Sequence, residues 1–185
     1  MELKVVEHSP ARTRVLDAAL RLFAEHGVSA TSLQMIADAV GITKAAVYHQ
    51  FPTKDQIVLA VTERELSKLL PALDEAEAQG EGTAARDALL VGVIDMAVRD
   101  RRLVRTLQYD PVVVRLLAEQ EQFQDFMSRL YRVLFGDLDD DGRIEGAMLS
   151  GAISTAVMHP LVADVDDETL RAKVLEMTRR ILGIP

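Results

Sequence analysis

Apolar residues along the 185-residue chain recur at intervals of three and four, with no sustained period-two alternation, so the pattern predicts helices throughout. Ser9-Pro10 reads as an N-cap followed by proline at the first helical position, Val15, Leu16, Ala19, Leu22 and Phe23 form one stripe, and Gly27 closes the helix. A second, short helix is expected from Thr31 or Ser32 to Val40, broken by Gly41. A third runs from Thr43 to Phe51 and stops there, because the residue before Pro52 avoids helical geometry. Thr53, with Gln56 three residues on, opens a fourth, long helix reaching toward Gly80, which Pro71 should kink or break. After the Gly80–Gly82 linker, Thr83 opens a helix carrying Leu89, Leu90, Val93, Ile94 and Ala97, and a short helix follows near Arg101–Gln108. Asp110-Pro111 begins a longer region ending at Gly136, the acidic loop Asp137–Gly142 leads into a helix from Arg143 to Met158, and a last helix spans Asp167–Leu182. Neither an internal repeat nor a low-complexity segment interrupts this series.

The second and third helices carry the spacing of a helix-turn-helix. Two helices crossing at roughly 90–120° around a tight turn need a small residue at the crossing, a turn residue that tolerates positive φ, and a buried aliphatic facing back. Ala37, Gly41 and Val47 stand at those positions, and Ile36, Val40 and Ile42 complete the seal. With Val47 and Phe51 turned inward, Thr43, Lys44, Ala46, Tyr48, His49 and Gln50 are left to a partner. Lysine suits guanine acceptors, glutamine pairs with adenine, and alanine touches a thymine methyl. Three residues have two readings each. Tyr48 is either an exposed contact or a half-buried core residue with a wet hydroxyl. Lys54 either meets a phosphate at the start of the fourth helix or is a solvated lysine offset by Asp55. Gln34 either closes a capping box with Thr31 or reaches the major groove.

Charge and composition narrow the field. The net charge is −8, which counts against a protein that coats nucleic acid along its whole length, yet residues 1–55 balance at zero and Asp38 is the only acid between His26 and Lys54. A local phosphate-binding face on an acidic molecule is therefore consistent. The chain has no Cys, which removes disulfides, thiol nucleophiles and Cys-ligated metals and fits a reducing, cytoplasmic setting. Met1 to Pro10 carries Glu2, Lys4 and Glu7 with no apolar core, so no secretory leader is expected, and no run approaches the roughly 18 apolar residues of a membrane span. His8, His26, His49 and His159 form no metal-binding pair, and neither G-x-S-x-G nor a phosphate-binding loop occurs, so an enzyme, a cofactor and a metal are not expected. Asp137, Asp139, Asp141 and Gly142 match part of an EF-hand loop, but Met148 stands where the bidentate Glu is needed, and the segment reads as a solvated acidic loop.

Residues 12–59, about a quarter of the chain, resemble the TetR family of transcription regulators through Thr31-Ser32, Ile36-Ala37, Gly41, Tyr48, Phe51 and Lys54. The resemblance implies an all-α fold: a helix-turn-helix DNA-binding domain over 1–53 and a helical ligand-sensing and dimerisation domain over 54–185. It further implies a homodimer that contacts a double-stranded operator through Ser32, Gln34, Thr43, Lys44, Ala46, Tyr48, His49 and Lys54, and whose effector releases it from DNA. Repression is the default it implies. Early arginines are limited to Arg12 and Arg14, a weakly basic N-terminus for this family.

The last two helices suit the dimer. Gly146, Ala147, Ser150, Gly151, Ala152 and Ser154 crowd small residues onto one, and Leu170, Val174, Met177 and Ile181 run along the next; the same pattern also fits packing within one chain. Candidate effector contacts are Leu66, Leu70, Met96, Leu103, Leu107, Met127 and Tyr131, with Leu73 and Leu134 nearby, each read more readily as plain core than as a ligand contact. Such a lining favours a mostly apolar small molecule. Its binding would tilt the fourth helix and change the separation of the recognition helices, with Pro71 and the Gly80–Gly82 linker as places for movement.

Overall fold

The structure, a computed structural model, describes residues 8–80, 82–99, 101, 104, 109–136 and 139–184. Among these, all regular structure is helical: α1 (Pro10–His26), α2 (Leu33–Val40), α3 (Lys44–Gln50), α4 (Lys54–Leu66), α5 (Leu70–Gln79), α6 (Thr83–Arg99), α7 (Pro111–Ala118), α8 (Glu121–Phe135), α9 (Asp140–Met158) and α10 (Asp167–Leu182).

Local chemistry sets most boundaries. Ser9, Ser32, Thr43, Thr53, Asp110, Asp139 and Asp166 each accept a backbone N–H as the N-cap of the helix that follows. The expected long fourth helix is divided. Ser67–Leu69 forms one 3-10 turn and α5 begins with Pro71 in its first turn. A proline ring crowds the carbonyl four residues back, here that of Ser67, so an α-helix cannot run through. The region from Asp110 to Gly136 is likewise two helices, parted at Glu119-Gln120. α9 starts at Asp140, three residues before the expected Arg143, because Asp139 caps it by accepting from Gly142 N–H (2.9 Å). The expected short helix near Arg101–Gln108 falls mostly outside the described residues, as do Leu103, Leu107 and Asp137.

The chain divides into two compact units: residues 1–68 with 105–124, and residues 69–104 with 125–185. In the first unit, Leu16 and Phe23 of α1, Ile36 of α2, Val47 of α3 and Ile57 of α4 pack in one apolar cluster, which Val113 and Leu116 of α7 join. Arg64 of α4 reaches Asp17 of α1 (2.8 Å).

In the second unit, Leu73 of α5 and Leu89, Leu90 and Ile94 of α6 are fully buried. Arginines fasten the outer helices. Arg179 of α10 binds Asp87 of α6 through two N–H groups (2.6 and 2.7 Å), and Arg171 pairs with Asp95. Arg129 of α8 holds Asp74 and Glu77 of α5 (2.6 Å each); these bonds raise its already high pKa. No helix among the described residues is long and apolar enough to cross a membrane.

Candidate nucleic-acid interface

The turn between α2 and α3 has the sterics its spacing predicts. Ala37 is fully buried where the helices meet, and Gly41 adopts the left-handed conformation (φ 75°, ψ 34°). Ile42 N–H then closes onto Ala37 O (3.0 Å), directing the chain into α3. Val47 is fully buried and Phe51 is 1% exposed, so α3 is anchored along one side. The Arg12 guanidinium lies 4.3 Å from the Phe51 ring centroid and covers that anchor from α1.

The opposite side of α3 is open. Thr43, Lys44, Ala45, Tyr48 and His49 are exposed, while Ala46 and Gln50 are half-buried. Tyr48 keeps 46% of its surface exposed, with Lys44 Nζ 5.6 Å from its ring centroid. Tyr48 is therefore exposed, as a contact residue would need to be. Gln50 Nε2 donates back to Ala46 O (3.4 Å), which ties it to its own helix. Ala45, absent from the sequence expectation, shares this face.

On α2, Ser32 and Gln34 are exposed. Ser32 is the N-cap, accepting from Met35 N–H (3.2 Å). Thr31 is 1% exposed and donates inward to Gly27 O (2.8 Å) and Leu22 O (3.3 Å), so the expected Thr31–Gln34 capping box does not form. Gln34 Nε2 donates instead to Asp38 Oδ1 (2.7 Å), one helical turn away. That bond covers part of the one acid on this face.

Lys54 and Asp110 take positions that the sequence did not suggest. Lys54 Nζ donates to Val28 O (2.7 Å), Ser29 O (3.2 Å) and Thr31 O (3.0 Å), all in the loop joining α1 to α2. Neither reading of Lys54, phosphate contact or solvated lysine, included this. Asp110 accepts from Val28 N–H (2.9 Å) as well as from Val112 N–H (3.0 Å) in its own helix. An Asp-Pro pair announces the helix start, but the 82-residue reach of its second oxygen leaves no mark in the sequence.

The expected effector contacts are distributed over both units. Leu66 is buried in the first. In the second, Leu70, Leu73 and Leu134 are buried, and Met96, Met127 and Tyr131 are half-buried, with the Tyr131 ring 5.8 Å from that of Phe135. On the last two helices, Ile144, Met148, Met177 and Ile181 are 58–71% exposed, whereas Leu170 and Val174 are buried. Among the described residues, no group of three or more His, Asp or Glu side chains is placed to hold a metal ion.

Residues 15–61 match the family model of bacterial regulatory proteins of the tetR family. The chain is 34% identical over 98 residues to the HTH-type transcriptional regulator AcrR of Shigella flexneri; the aligned stretch spans 52% of this chain and 46% of that regulator. It is 29% identical over 142 residues to the HTH-type transcriptional repressor KstR2 of Rhodococcus jostii, covering 77% of this chain and 70% of that one. Among solved structures, the transcriptional regulatory protein RHA5900 superposes with a TM-score of 0.67 at 27% identity, over 94% of this chain and all of that one.

Proposed function

The chain belongs to the TetR family of transcription regulators, whose members are non-enzymatic DNA-binding proteins, and on that premise we propose that it is a cytoplasmic repressor that reads a near-palindromic operator as a homodimer and leaves it when an apolar effector binds. The observation that carries the reading is the exposed side of α3, where Tyr48 and Lys44 stand above a sealed Ala37–Gly41–Val47 turn. A short helix held rigidly along one side and left polar along the other is the form that enters a major groove. The contact set is Ser32 and Gln34 from α2 with Thr43, Lys44, Ala46, Tyr48 and His49 from α3. Gln34 would have to leave Asp38 to reach a base.

Two recognition helices read a palindrome only when held about 34–36 Å apart, which requires a dimer. The exposed Ile144 and Met148 of α9 and Met177 and Ile181 of α10 supply an apolar surface for one. Leu70, Met96, Met127 and Tyr131 in the second unit are the proposed effector contacts, and repression follows the named role of the KstR2 relative.

Selection of duplexes from a random pool tests the reading. Wild-type protein should enrich a near-palindrome, bind it less tightly as salt rises, and release it to at least one member of an apolar small-molecule panel. Tyr48→Ala and Lys44→Ala should each weaken binding by about 1–3 kcal/mol. A well-folded wild-type protein that enriches no sequence would defeat the reading.

A further inference from the structure

We propose that Asp110 and Lys54 are positioning residues for operator recognition, gripping the backbone of Val28 at its N–H and at its carbonyl and so fixing where α2 begins. The proposal rests on the reading of α2 and α3 as the operator-binding face.

The loop from Gly27 to Thr31 joins α1 to α2. Buried backbone polar groups need partners, and here side chains provide them. Asp110 Oδ2 accepts from Val28 N–H (2.9 Å), and Lys54 Nζ donates to the carbonyl of the same residue (2.7 Å). The ammonium carries three protons, and its other two go to Ser29 O (3.2 Å) and Thr31 O (3.0 Å). Val28 itself is fully buried. Ser32, the cap of α2, is the next residue after the last of these carbonyls, so Ser32 and Gln34 take their placement from this grip.

The two anchors come from different places. Lys54 opens α4, whereas Asp110 caps α7 by accepting from Val112 N–H (3.0 Å) with its other oxygen. Among the described residues, Asp110 thus turns one oxygen to α7 and the other to the loop before α2. A shift of the start of α7 would be transmitted to the loop through one side chain. Lys54, with its three protons on carbonyls, could meet a phosphate only by releasing one of them, so its contribution to DNA binding runs through the loop.

Two variants and two readouts test this on the full chain. In Asp110→Ser, the hydroxyl still caps α7, since serine is as good an N-cap as aspartate, but it is too short to reach Val28. Backbone amide exchange in the DNA-free protein should speed up about tenfold or more at Val28, while Val112 keeps its protection. Affinity for the selected operator should fall about tenfold. The direction is diagnostic: removing a carboxylate from a protein that faces a polyanion tightens binding on charge alone. In Lys54→Met, affinity should fall with the salt dependence unchanged, whereas loss of a phosphate contact in each subunit lowers the slope of log K against log salt by about 0.9 per subunit, or about 1.8 for the dimer. Unchanged exchange at Val28, operator binding by Asp110→Ser as tight as wild type or tighter, or a reduced salt slope in Lys54→Met overturns the proposal. A wild-type chain that selects no sequence sinks the operator reading and the positioning role together; a wild-type chain that binds beside an Asp110→Ser chain that binds equally well sinks the positioning role alone.

Discussion

Gly41 is held at φ 75° with nothing within 4 Å of where a Cβ would lie. The demand on this residue is one of backbone conformation and not of space. Gly41→Ala should therefore lower stability by about 1 kcal/mol, read by urea denaturation, without a packing defect. This position was legible in the sequence, because a left-handed residue between two short amphipathic stretches has few candidates other than glycine. The start of α3 at Thr43 was legible for a similar reason, whereas Ser32 shared its cap reading with Thr31 and Tyr48 kept two readings. Thr31, Lys54 and Asp110 were not legible. Thr31 and Ser32 are equivalent as N-caps in sequence, and only the Leu22 and Gly27 carbonyls facing inward determine that Thr31 turns toward them. Lys54 is bonded to residues 23 to 26 positions earlier and Asp110 to one 82 positions earlier, distances at which no local pattern operates.

At the scale of elements, starts were easier to read than continuity. Pro71 permitted either a kink or a break, and the 3-10 turn at Ser67–Leu69 shows the break. The division between α7 and α8 at Glu119-Gln120 had no proline or glycine to announce it. Helix contacts were less visible again. Gly146 on α9 read as one of a set of small residues available to a partner, yet a Cβ there would meet the Phe135 ring of α8 at 3.3 Å. The absent side chain makes room for an aromatic of the same chain. Gly146→Val should overpack this contact and cost about 1–3 kcal/mol, seen as a lowered melting temperature, with the exposed side of α3 untouched.

For the whole molecule, the sequence pattern marked a buried stripe on α10 without saying what buries it. Leu170, Val174, Met177 and Ile181 lie on one side of the helix, but the chain covers the first two and leaves the last two 61% and 69% exposed. A dimer through this surface predicts that Met177→Glu with Ile181→Glu yields monomers by light scattering. Operator affinity should fall steeply in the same variant, because each subunit must then bind its half-site alone; a dimer that persists would place the interface elsewhere. The division into units has a different consequence. The first unit is built from two stretches of chain, 1–68 and 105–124, and Val113 and Leu116 sit in the same cluster as the helix-turn-helix core. During synthesis, α1 to α4 are therefore made before the residues that complete their core. The unit that carries the helix-turn-helix, although it begins the chain, is complete only once residue 124 has been made.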